Sequence, residues 1–441
     1  MALKFRWETK FKETEIGEIP KDWVVKEIGE EYKLQYGVTT SCLLSGNCKL
    51  LRMTDIKDDG VDVGSMPDVL IDDKKKKKYE LKENDLVISR IANIGAIGIV
   101  NKTIFETKRS PIVFGSYLLR FRQVGGNTAN GFIYYQIKAA DYQEYLLSIA
   151  EGSTRLNTNA QVLQKCPLYL PLLNEQEKIE AILSWFDELI ENKKRQNDIL
   201  EKSAIAVFKS WFMDFEPFKK NGFKKSELSE IPSSCSVKPI GELADIHNGL
   251  SYSGKEKFVD PVEGSYVFIT LNNAVEGGGF KTEYAWIRSD RLKDRVFLEE
   301  SDLIIPNTEQ TKDERLLGSP GLVVFPDDYK NMKGVFSHHI SKITPHDQAI
   351  KYYLYVFLRM TREDSSSFHT GTGVLGLDIK NFRKNKMVVV APKPIMDKYH
   401  ALAEPIFQKI INNQKKILVL RKVRDTLLPL LVFGKLRVEE I

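Results

Sequence analysis

The feature that most constrains this 441-residue chain is an internal repeat. Residues 11–30 and residues 223–242 are identical at eleven of twenty positions without a gap, at an offset of 212. Average residue usage would give about one identity by chance. Further matching residues follow in the same order: Gly37 and Gly249, Asp85 and Asp302, Pro171 and Pro392, Phe186 and Phe407, Phe212 and Phe433. The chain is therefore predicted to fold as two similar halves.

Each half opens with a region of strand-like texture. Short runs rich in β-branched and aromatic residues, such as 85–89 and 321–325, are bounded by Gly, Asn, Asp and Pro. Helices rich in Tyr and Leu are predicted to interrupt them at 131–149 and 348–360. This pattern indicates a mixed α/β domain with a curved, mostly antiparallel sheet.

Each half closes with a long helical pattern. Residues 175–213 contain no Pro or Gly, and the partner helix is expected to run from about Met396 or Pro405 to Leu428, because Pro405 kinks a helix or begins one. Apolar residues step by three and four: Ile179, Leu183, Phe186, Ile190, Leu200, Ala204, Val207 and Trp211 in the first, and Ile406, Ile410, Ile417, Leu420 and Leu427 in the second. Polar Lys193, Asn197 and Asn413 lie near the middle of the two seams.

Two helices with complementary seams are predicted to pair. The alternative is that each helix packs only on its own domain, but the repeat favours an antiparallel pair related by a pseudo-twofold axis, with the polar residues setting its register. The predicted fold class is therefore α+β. Two similar mixed α/β domains, at 11–171 and 223–392, are joined by two long antiparallel helices at 172–216 and 393–435, a coiled-coil spacer.

Composition excludes several classes of protein. The formal net charge of +5 is mildly basic, and 42% hydrophobic with 28% charged residues is ordinary for a globular chain. There is no run of about 18 apolar residues, and charges interrupt the first residues, so neither a membrane span nor export is expected. The four cysteines show no CxxC spacing and are expected to be free thiols. A cytoplasmic location is the resulting prediction.

Candidate catalytic motifs are weak. Residues 249–256 fit GxxxxGK but end in Glu, which cannot supply the hydroxyl that binds Mg²⁺, and the GxGxxG at 371–376 follows polar residues instead of a strand. Carboxylate and lysine groups at 72–78 and 327–330 resemble solvated loops more than a nuclease site. The adjacent His338 and His339 form no metal motif. No catalytic residue, metal site or cofactor is expected.

Candidate binding residues are more informative. The run Lys74–Lys78, centred on Lys76, is either a flexible surface loop or an anchor for phosphates. Polar side chains that suit base edges lie near the predicted strand ends: Thr39, Thr40, Arg52, Thr54, Arg90, Asn93 and Arg155 in the first half, and Ser251, Tyr252, Asn272, Asn273, Asn307, Gln310 and Lys312 in the second. They occupy matching places in the two halves but differ in identity.

Two of the repeated segments resemble a known family. Residues 18–30, beginning Glu-Ile-Pro-Lys-Asp-Trp, are similar to the opening of a target recognition domain of type I restriction-modification specificity (S) subunits. Residues 171–179, a Pro followed by Glu-Gln and a helix through Leu183 and Asp187, resemble the segment that closes such a domain. In the second half Cys235 replaces Trp23, and Ile-Met-Asp at 395–397 replaces the Glu-Gln pair.

The resemblance implies a non-catalytic subunit that binds double-stranded DNA. Each domain would read one half of a split, non-palindromic site, and the paired helices would set the spacer and dock two methyltransferase (modification) subunits, which restriction subunits join. It implies no cofactor in this chain. Two alternatives remain at this stage: a self-contained DNA-acting enzyme such as a fused nuclease, and a coiled-coil scaffold that binds no nucleic acid.

Overall fold

The structure is a computed structural model, and it describes residues 3–58, 60–101, 104, 110–150, 157–220, 222–310, 315–326, 333–362, 367–371 and 374–440. The helices with described bounds are α1 (Ile28–Glu31), α2 (Asp73–Tyr79), α3 (Asn130–Lys138), α4 (Ala140–Ser148), α5 (Ala160–Gln164), α6 (Leu173–Phe212), α7 (Ile240–Leu243), α8 (Lys351–Met360), α9 (Ile379–Asn385) and α10 (Lys393–Val432).

Strands fill most of the remaining chain. Those of the first half are β1 (Leu3–Trp7), β2 (Phe11–Thr14), β3 (Gly17–Pro20), β4 (Val24–Glu27), β5 (Tyr32–Tyr36), β6 (Cys48–Leu51), β7 (Ile56–Lys57), β8 (Gly60–Val61), β9 (Asp68–Val69), β10 (Leu86–Ser89), β11 (Ile97–Ile99), β12 (Ile112–Phe114), β13 (Leu118–Gln123) and β14 (Pro167–Leu170). Those that follow are β15 (Phe223–Lys225), β16 (Glu230–Pro232), β17 (Ser236–Pro239), β18 (Ala244–Asn248), β19 (Lys257–Phe258), β20 (Tyr266–Ile269), β21 (Ala285–Ile287), β22 (Phe297–Leu298), β23 (Leu303–Pro306), β24 (Gly321–Leu322), β25 (Gly334–Phe336), β26 (Ile340–Pro345), β27 (His369–Thr370), β28 (Gly376–Leu377), β29 (Met387–Val390) and β30 (Leu436–Glu440).

The first compact unit comprises Met1–Leu189 and Leu420–Ile441. Its larger sheet is antiparallel with the order β11-β10-β13-β5, and a second sheet has the order β12-β6-β9, in which β6 and β12 run parallel. All four residues of β10, Leu-Val-Ile-Ser, are buried, as expected of a central strand covered on both faces. Trp23 and Phe132 pack edge to face in the main core of this unit.

The second compact unit comprises Ile190–Val419 and repeats this plan. One sheet has the order β18-β26-β23-β24, and the other, β19-β21-β20-β25-β22, again contains a parallel pair, β20 and β25. The register is also repeated, since Leu86 pairs with Phe121 on β10 and β13 while Leu303 pairs with Ile343 on β23 and β26. The duplication in the sequence is thus a duplication of the sheets.

The two long helices are continuous, and each contributes one end to each unit. In the first unit Ile179 and Leu183 of α6 share a core with Leu428 and Leu431 of α10. In the second, the last turns of α6 share a core with the first turns of α10: Ala204, Phe208 and Phe212 with Met396, Tyr399 and Ala403. Within each unit the start of one helix therefore packs with the end of the other, as an antiparallel pair requires.

Two details of the helix prediction are corrected. The expectation that Pro405 begins or kinks the second helix is wrong as a start, because α10 begins at Lys393 and continues through Pro405. Ala403 and Phe407, on either side of Pro405, are buried in the core of the second unit, and this packing offsets the hydrogen bond that Pro405 cannot form. Two predicted seam positions of α10 are also off by one, since Phe407 and Ile411 are buried where Ile406 and Ile410 were expected, whereas Asn413 and Ile417 are buried as expected. A helix that packs on a domain and on another helix buries a face wider than a coiled-coil seam.

The polar centre of the seams forms as predicted. Within the second unit, Asn413 is fully buried and its Nδ2 donates to Oδ1 of Asn197 at 2.9 Å. Lys193 Nζ donates to Gln196 Oε1 at 3.2 Å on the same stretch of α6. The hydrogen bond between the two asparagines forms only in this register, so it disfavours slipped alternatives at some cost in stability.

Helix α6 is fastened to the first unit by the Glu-Gln segment. Helix α3 has Ala129 at its N-cap, which offers no capping side chain, and Gln176 Oε1 accepts the Ala129 N–H at 2.9 Å instead. Gln176 Nε2 donates to the carbonyls of Pro171 and Asn127 at 2.9 and 3.1 Å. One turn later, Glu180 Oε2 accepts the Phe132 N–H at 3.3 Å.

The second unit replaces this arrangement, which explains its departure from the repeat. Asp347 Oδ1 accepts the Ala349 N–H at 2.9 Å and so caps the turn that leads into α8. Lys393 Nζ then binds Asp347 at 2.8 Å and Asp397 at 3.2 Å, tying α10 to that cap. An ion-paired cap substitutes for the glutamine.

The first and last described strands pair with each other inside the first unit. Strands β1 and β30 are antiparallel, with Leu3 opposite Glu440. Arg437 of β30 binds Glu175 through Nε and Nη2 at 2.6 and 2.7 Å, and Glu8 through Nη1 at 2.9 Å. Its guanidinium also lies over the Trp23 ring at 5.9 Å. Residues from four separated parts of the sequence thus meet at one arginine.

All four cysteines are free: Cys42 is exposed, whereas Cys48, Cys166 and Cys235 are buried. In the part of the chain that the structure describes, no helix combines the length and apolar character needed to cross a membrane.

Candidate functional site

Four chain segments meet at one edge of the first unit. The Gly37 N–H donates to the Leu118 carbonyl at 3.2 Å, the Val38 N–H to the Phe114 carbonyl at 2.8 Å, and the Gly115 N–H to the Leu51 carbonyl at 2.9 Å. These bonds join the ends of β5, β6 and β12 to the start of β13. We call the surface formed by residues 37–40, 52–55, 90–96 and 115–117 the first loop edge.

The second unit has an equivalent surface. The Gly249 N–H donates to the Ile340 carbonyl at 3.3 Å, the Leu250 N–H to the Phe336 carbonyl at 2.7 Å, and the Ser337 N–H to the Ile269 carbonyl at 2.9 Å. We call residues 249–252, 270–273, 307–310 and 337–339 the second loop edge. Each of these backbone hydrogen bonds in the second loop edge has an equivalent in the first loop edge.

One glycine in each loop edge allows two backbone segments to pass close to each other. A Cβ at Gly37 would lie 2.2 Å from the Gly115 carbonyl oxygen, and one at Gly249 would lie 2.1 Å from that of Phe336. Backbone atoms cannot yield at that distance, so only glycine fits. The residues just beyond them differ: Thr39 and Ser251 are exposed, and Thr40 and Tyr252 are half-buried.

A capped 3-10 turn forms the next part of each edge. In the first edge this turn is Met53–Asp55, and Asp55 is buried. The Asp55 carboxylate accepts a hydrogen bond from the Arg52 N–H, and Arg52 Nε and Nη2 donate to the same carboxylate at 3.0 and 2.7 Å. This hydrogen bonding raises the pKa of the Arg52 guanidinium. In the second turn, Leu271–Asn273, Asn273 takes the place of the aspartate. The two turns therefore occupy equivalent places and support the two loop edges in the same way.

The outward residues of the two turns are Thr54 and Asn272, both exposed. Asn273, by contrast, is only 1% exposed. Its Oδ1 accepts the Thr270 N–H at 2.9 Å and its Nδ2 donates to the Lys281 and Glu283 carbonyls at 2.9 and 2.7 Å. Of the two adjacent asparagines, Asn272 is therefore free to meet a ligand and Asn273 is committed inside the protein.

Arg90 and Asn307 also occupy equivalent places, at the ends of β10 and β23. Arg90 Nε donates to the Ser116 carbonyl at 3.1 Å, and its guanidinium lies over the Tyr36 ring at 5.3 Å. Asn307 is buried, and its Nδ2 donates to the His338 carbonyl at 2.9 Å. Both side chains support the loop edge from within. Further along, Asn93 and Gln310 are exposed.

Of the remaining predicted residues, Arg155 and Lys312 lie outside the described residues, as do residues 327–330 and part of the glycine motif at 371–376. The lysine run is helical, so the first of its two predicted alternatives, a flexible surface loop, is wrong, and a phosphate anchor stays a prediction. The run forms α2, where Asp72 caps the helix by accepting the Lys75 N–H at 2.8 Å. Lys76 is half-buried and the other four lysines are exposed.

The weak catalytic motifs have structural roles where they are described. Gly254–Glu256 forms a 3-10 turn, in which Glu256 accepts from Ser253 and Arg291. Hydrogen bonding from Ser289, with smaller contributions from Ser253 and Arg291, lowers the pKa of Glu256 to about 2. Among the described residues no group of histidine, cysteine and carboxylate side chains could hold a metal ion.

One pair of segments at the loop edges was not among the predicted site residues. Ser116 and Tyr117 in the first edge, and His338 and His339 in the second, are the two central residues of the turn between the parallel strand and the next antiparallel one. His338 and His339 were noticed only as a possible metal motif. The signal that could have found them is their place directly before matched strands, β13 and β26.

Comparison with known proteins agrees with this architecture. The profile of the type I restriction modification DNA specificity domain matches residues 20–202. The chain is 33% identical to the type I restriction enzyme MjaIX specificity subunit of Methanocaldococcus jannaschii, covering 100% of this chain and 99% of that protein. It is 22% identical to the HindI specificity subunit of Haemophilus influenzae, over 69% of this chain and 77% of that protein.

A solved structure shows the same fold. The S subunit of a type I restriction-modification system from M. genitalium superposes with a TM-score of 0.53, covering 93% of this chain and 96% of that one at 17% identity. The duplicated domains, the long helices and the full-length match lead to one assignment. The chain belongs to the family of type I restriction-modification specificity subunits.

Proposed function

We propose that this chain binds double-stranded DNA at a bipartite, non-palindromic site, with one compact unit reading each half-site. The observation that carries the proposal is the contrast within the two loop edges. Their backbones match, whereas the exposed side chains at equivalent places differ: Thr39 and Ser251, Thr54 and Asn272, Asn93 and Gln310. Two domains that share a backbone but expose different polar side chains are suited to binding two different DNA sequences.

The chemistry of the exposed groups fits base edges. Asn and Gln can bind adenine N6 and N7 with two hydrogen bonds, and threonine can bond to several bases or contact the thymine methyl. Asn272 and Gln310 therefore favour adenine contacts in one half-site. The exposed lysines of α2 supply positive charge suited to phosphates, a contribution that weakens with salt.

The long helices are proposed to set the spacer and to dock partner subunits. At 1.5 Å per residue, 40 residues span about 60 Å. Trp185 and Leu189 on α6, and Leu402 on α10, are exposed apolar side chains that suit protein contacts. We propose two modification subunits as the partners, with restriction subunits joining through the complex. Those partners, and not this chain, carry the chemistry.

Methylation sequencing tests this proposal. The chain is assembled with its modification subunits, incubated with random-sequence DNA and a methyl donor, and the methylated sites are read. We expect two different half-sites separated by a spacer of fixed length. A continuous or palindromic site would contradict the proposal, as would DNA cleavage by the purified chain alone with a divalent metal.

A further inference from the structure

A backbone hydrogen bond closes the turn at each loop edge. In the first unit the Leu118 N–H donates to the Gly115 carbonyl at 2.9 Å, which closes a four-residue turn around Ser116 and Tyr117. In the second, the Ile340 N–H donates to the Ser337 carbonyl, also at 2.9 Å. Gly115 and Ser337 are themselves fixed by the neighbouring strands, as described above.

Each turn is also held from beneath by one residue. The Arg90 N–H donates to the Tyr117 carbonyl and Arg90 Nε to the Ser116 carbonyl, both at 3.1 Å. The Asn307 N–H donates to the His339 carbonyl and Asn307 Nδ2 to the His338 carbonyl, both at 2.9 Å. Different residues thus make the same pair of bonds, which preserve the backbone of the turn whatever side chains it carries.

The side chains of the turns differ and carry polar groups. Tyr117 is 53% exposed. His338 and His339 are half-buried, with ring centroids 3.8 Å apart, and His339 Nδ1 lies 3.0 Å from the Thr308 hydroxyl. Among the described residues, His338 Nδ1 has no hydrogen-bond partner. A buried nitrogen without a partner is costly, so a ligand that formed a hydrogen bond with it would recover that cost.

The chemistry of these groups favours bases over phosphates. Burial, together with the adjacent His338, lowers the pKa of His339, so its ring is mostly neutral near pH 7. A neutral imidazole has one donor and one acceptor nitrogen, and a tyrosine hydroxyl can donate and accept. Such groups match base edges, whereas phosphates prefer cations.

We infer that these turns determine specificity: Tyr117 contacts bases of one half-site, and His338 and His339 contact bases of the other. The inference rests on the proposed function. It also reassigns Arg90 and Asn307, whose polar groups face the turn, as positioning residues.

Exchange of the turns tests the inference. One variant carries Ser116→His with Tyr117→His, and the other carries His338→Ser with His339→Tyr. Each is assembled with the modification subunits and its methylated sites are sequenced. We expect each exchange to change base preference in one half-site only, by about 5- to 150-fold for the best base, because a good base contact discriminates by that much. The spacer and the other half-site should stay as in the wild type.

Smaller substitutions keep the test decisive if an exchanged turn does not fold. Tyr117→Phe removes one hydroxyl and should reduce preference in the first half-site alone, and His338→Asn should act on the second alone. The control is His346→Ala, an exposed histidine of the second unit bound to the Glu242 carbonyl, which should change nothing.

Two results would overturn the inference. Unchanged preference in all folded turn variants would show that the turns read no bases. Uniform weakening across all sequences, with a shallower salt dependence, would show phosphate contacts instead. Failure of the wild-type complex to yield a bipartite site would be a failure of the proposed function, and it is visible before any variant is compared.

Discussion

At the scale of single residues, the loop edges separate neighbours with opposite roles. Asp55 and Asn273 are buried supports, while Thr54 and Asn272, one position earlier, face outward. Both asparagines were predicted as site residues, because the sequence alone does not show which side of a turn a residue occupies. The capping hydrogen bonds show it.

The asparagine pair gives a matched prediction. Asn273→Ala leaves the Thr270 N–H and two carbonyls without their partner and should lower the free energy of unfolding by about 2 kcal/mol. Asn272→Ala should leave stability unchanged and alter base preference in one half-site. Urea unfolding and methylation sequencing measure the two effects. Equal destabilisation by both variants would contradict these assignments.

His339 gives a prediction for pH. Because its pKa is lowered from 6.5, the folded protein binds fewer protons than the unfolded chain just below that pH. Its contribution to stability is therefore complete above about pH 6.5 and is lost as the pH falls toward the folded pKa.

Urea unfolding at about pH 8 and about pH 5.5 measures this contribution. The loss of stability on acidification should be smaller in His339→Asn than in the wild type, and His346→Asn serves as the exposed control. An unchanged pH dependence in His339→Asn would show that the ring is not shielded.

At the scale of elements, helices α6 and α10 are attached to their units by different kinds of side-chain contact. Gln176 caps α3 from α6, whereas Lys393 reaches Asp347 from α10. The first is a buried neutral network and the second an exposed ion pair, which is usually worth less than 1 kcal/mol. The two attachments should therefore respond differently to mutation and to salt.

Gln176→Ala tests the first attachment. Gln176 is 1% exposed, and its loss leaves the Ala129 N–H and two carbonyls unpaired, so we expect about 2 kcal/mol less stability. Glu177→Ala, an exposed neighbour on α6, is the control and should cost little. A small loss in Gln176→Ala, matching the control, would mean that water replaces the cap.

Much of the architecture could be predicted from the sequence. The repeat gave the two matching sets of strands, and the spacing of Ile179 and Leu183 gave the long helix and its buried face. The start of α10 and the burial of Phe407 and Ile411 could not be predicted, because they depend on the domain against which α10 packs. The turn at His338 was missed for a similar reason: only the backbone crossing shows which loops share an edge.

At the scale of the whole molecule, one plan is used twice with different side chains. Changing a loop edge should therefore leave its fold intact, since Gly37, Gly249 and the capped turns support the backbone independently of the outward residues. On the proposed function, one half-site can be altered while the other is kept. On the same proposal, the helices bear on both half-sites at once.

Lengthening the helices tests the spacer proposal. Seven residues inserted after Asn197 in α6, with seven more after Asn413 in α10, keep the heptad pattern and add about 10 Å. We expect the spacer of the methylated site to grow by about three base pairs while both half-sites stay the same. The control is a seven-residue insertion in the exposed turn at 226–229. Unchanged spacing in the helix variant would refute the ruler mechanism.

The pairing of β1 with β30 has a consequence for synthesis. The second unit, Ile190–Val419, is one continuous stretch and can close as soon as it has emerged from the ribosome. The first unit must wait for the last turns of α10 and for Arg437, although most of its own chain emerges first. The half that is made first is thus finished last. A chain that ended near residue 420 would contain the whole second unit but would leave β1 of the first unit without its partner strand, an exposed edge open to pairing with other chains.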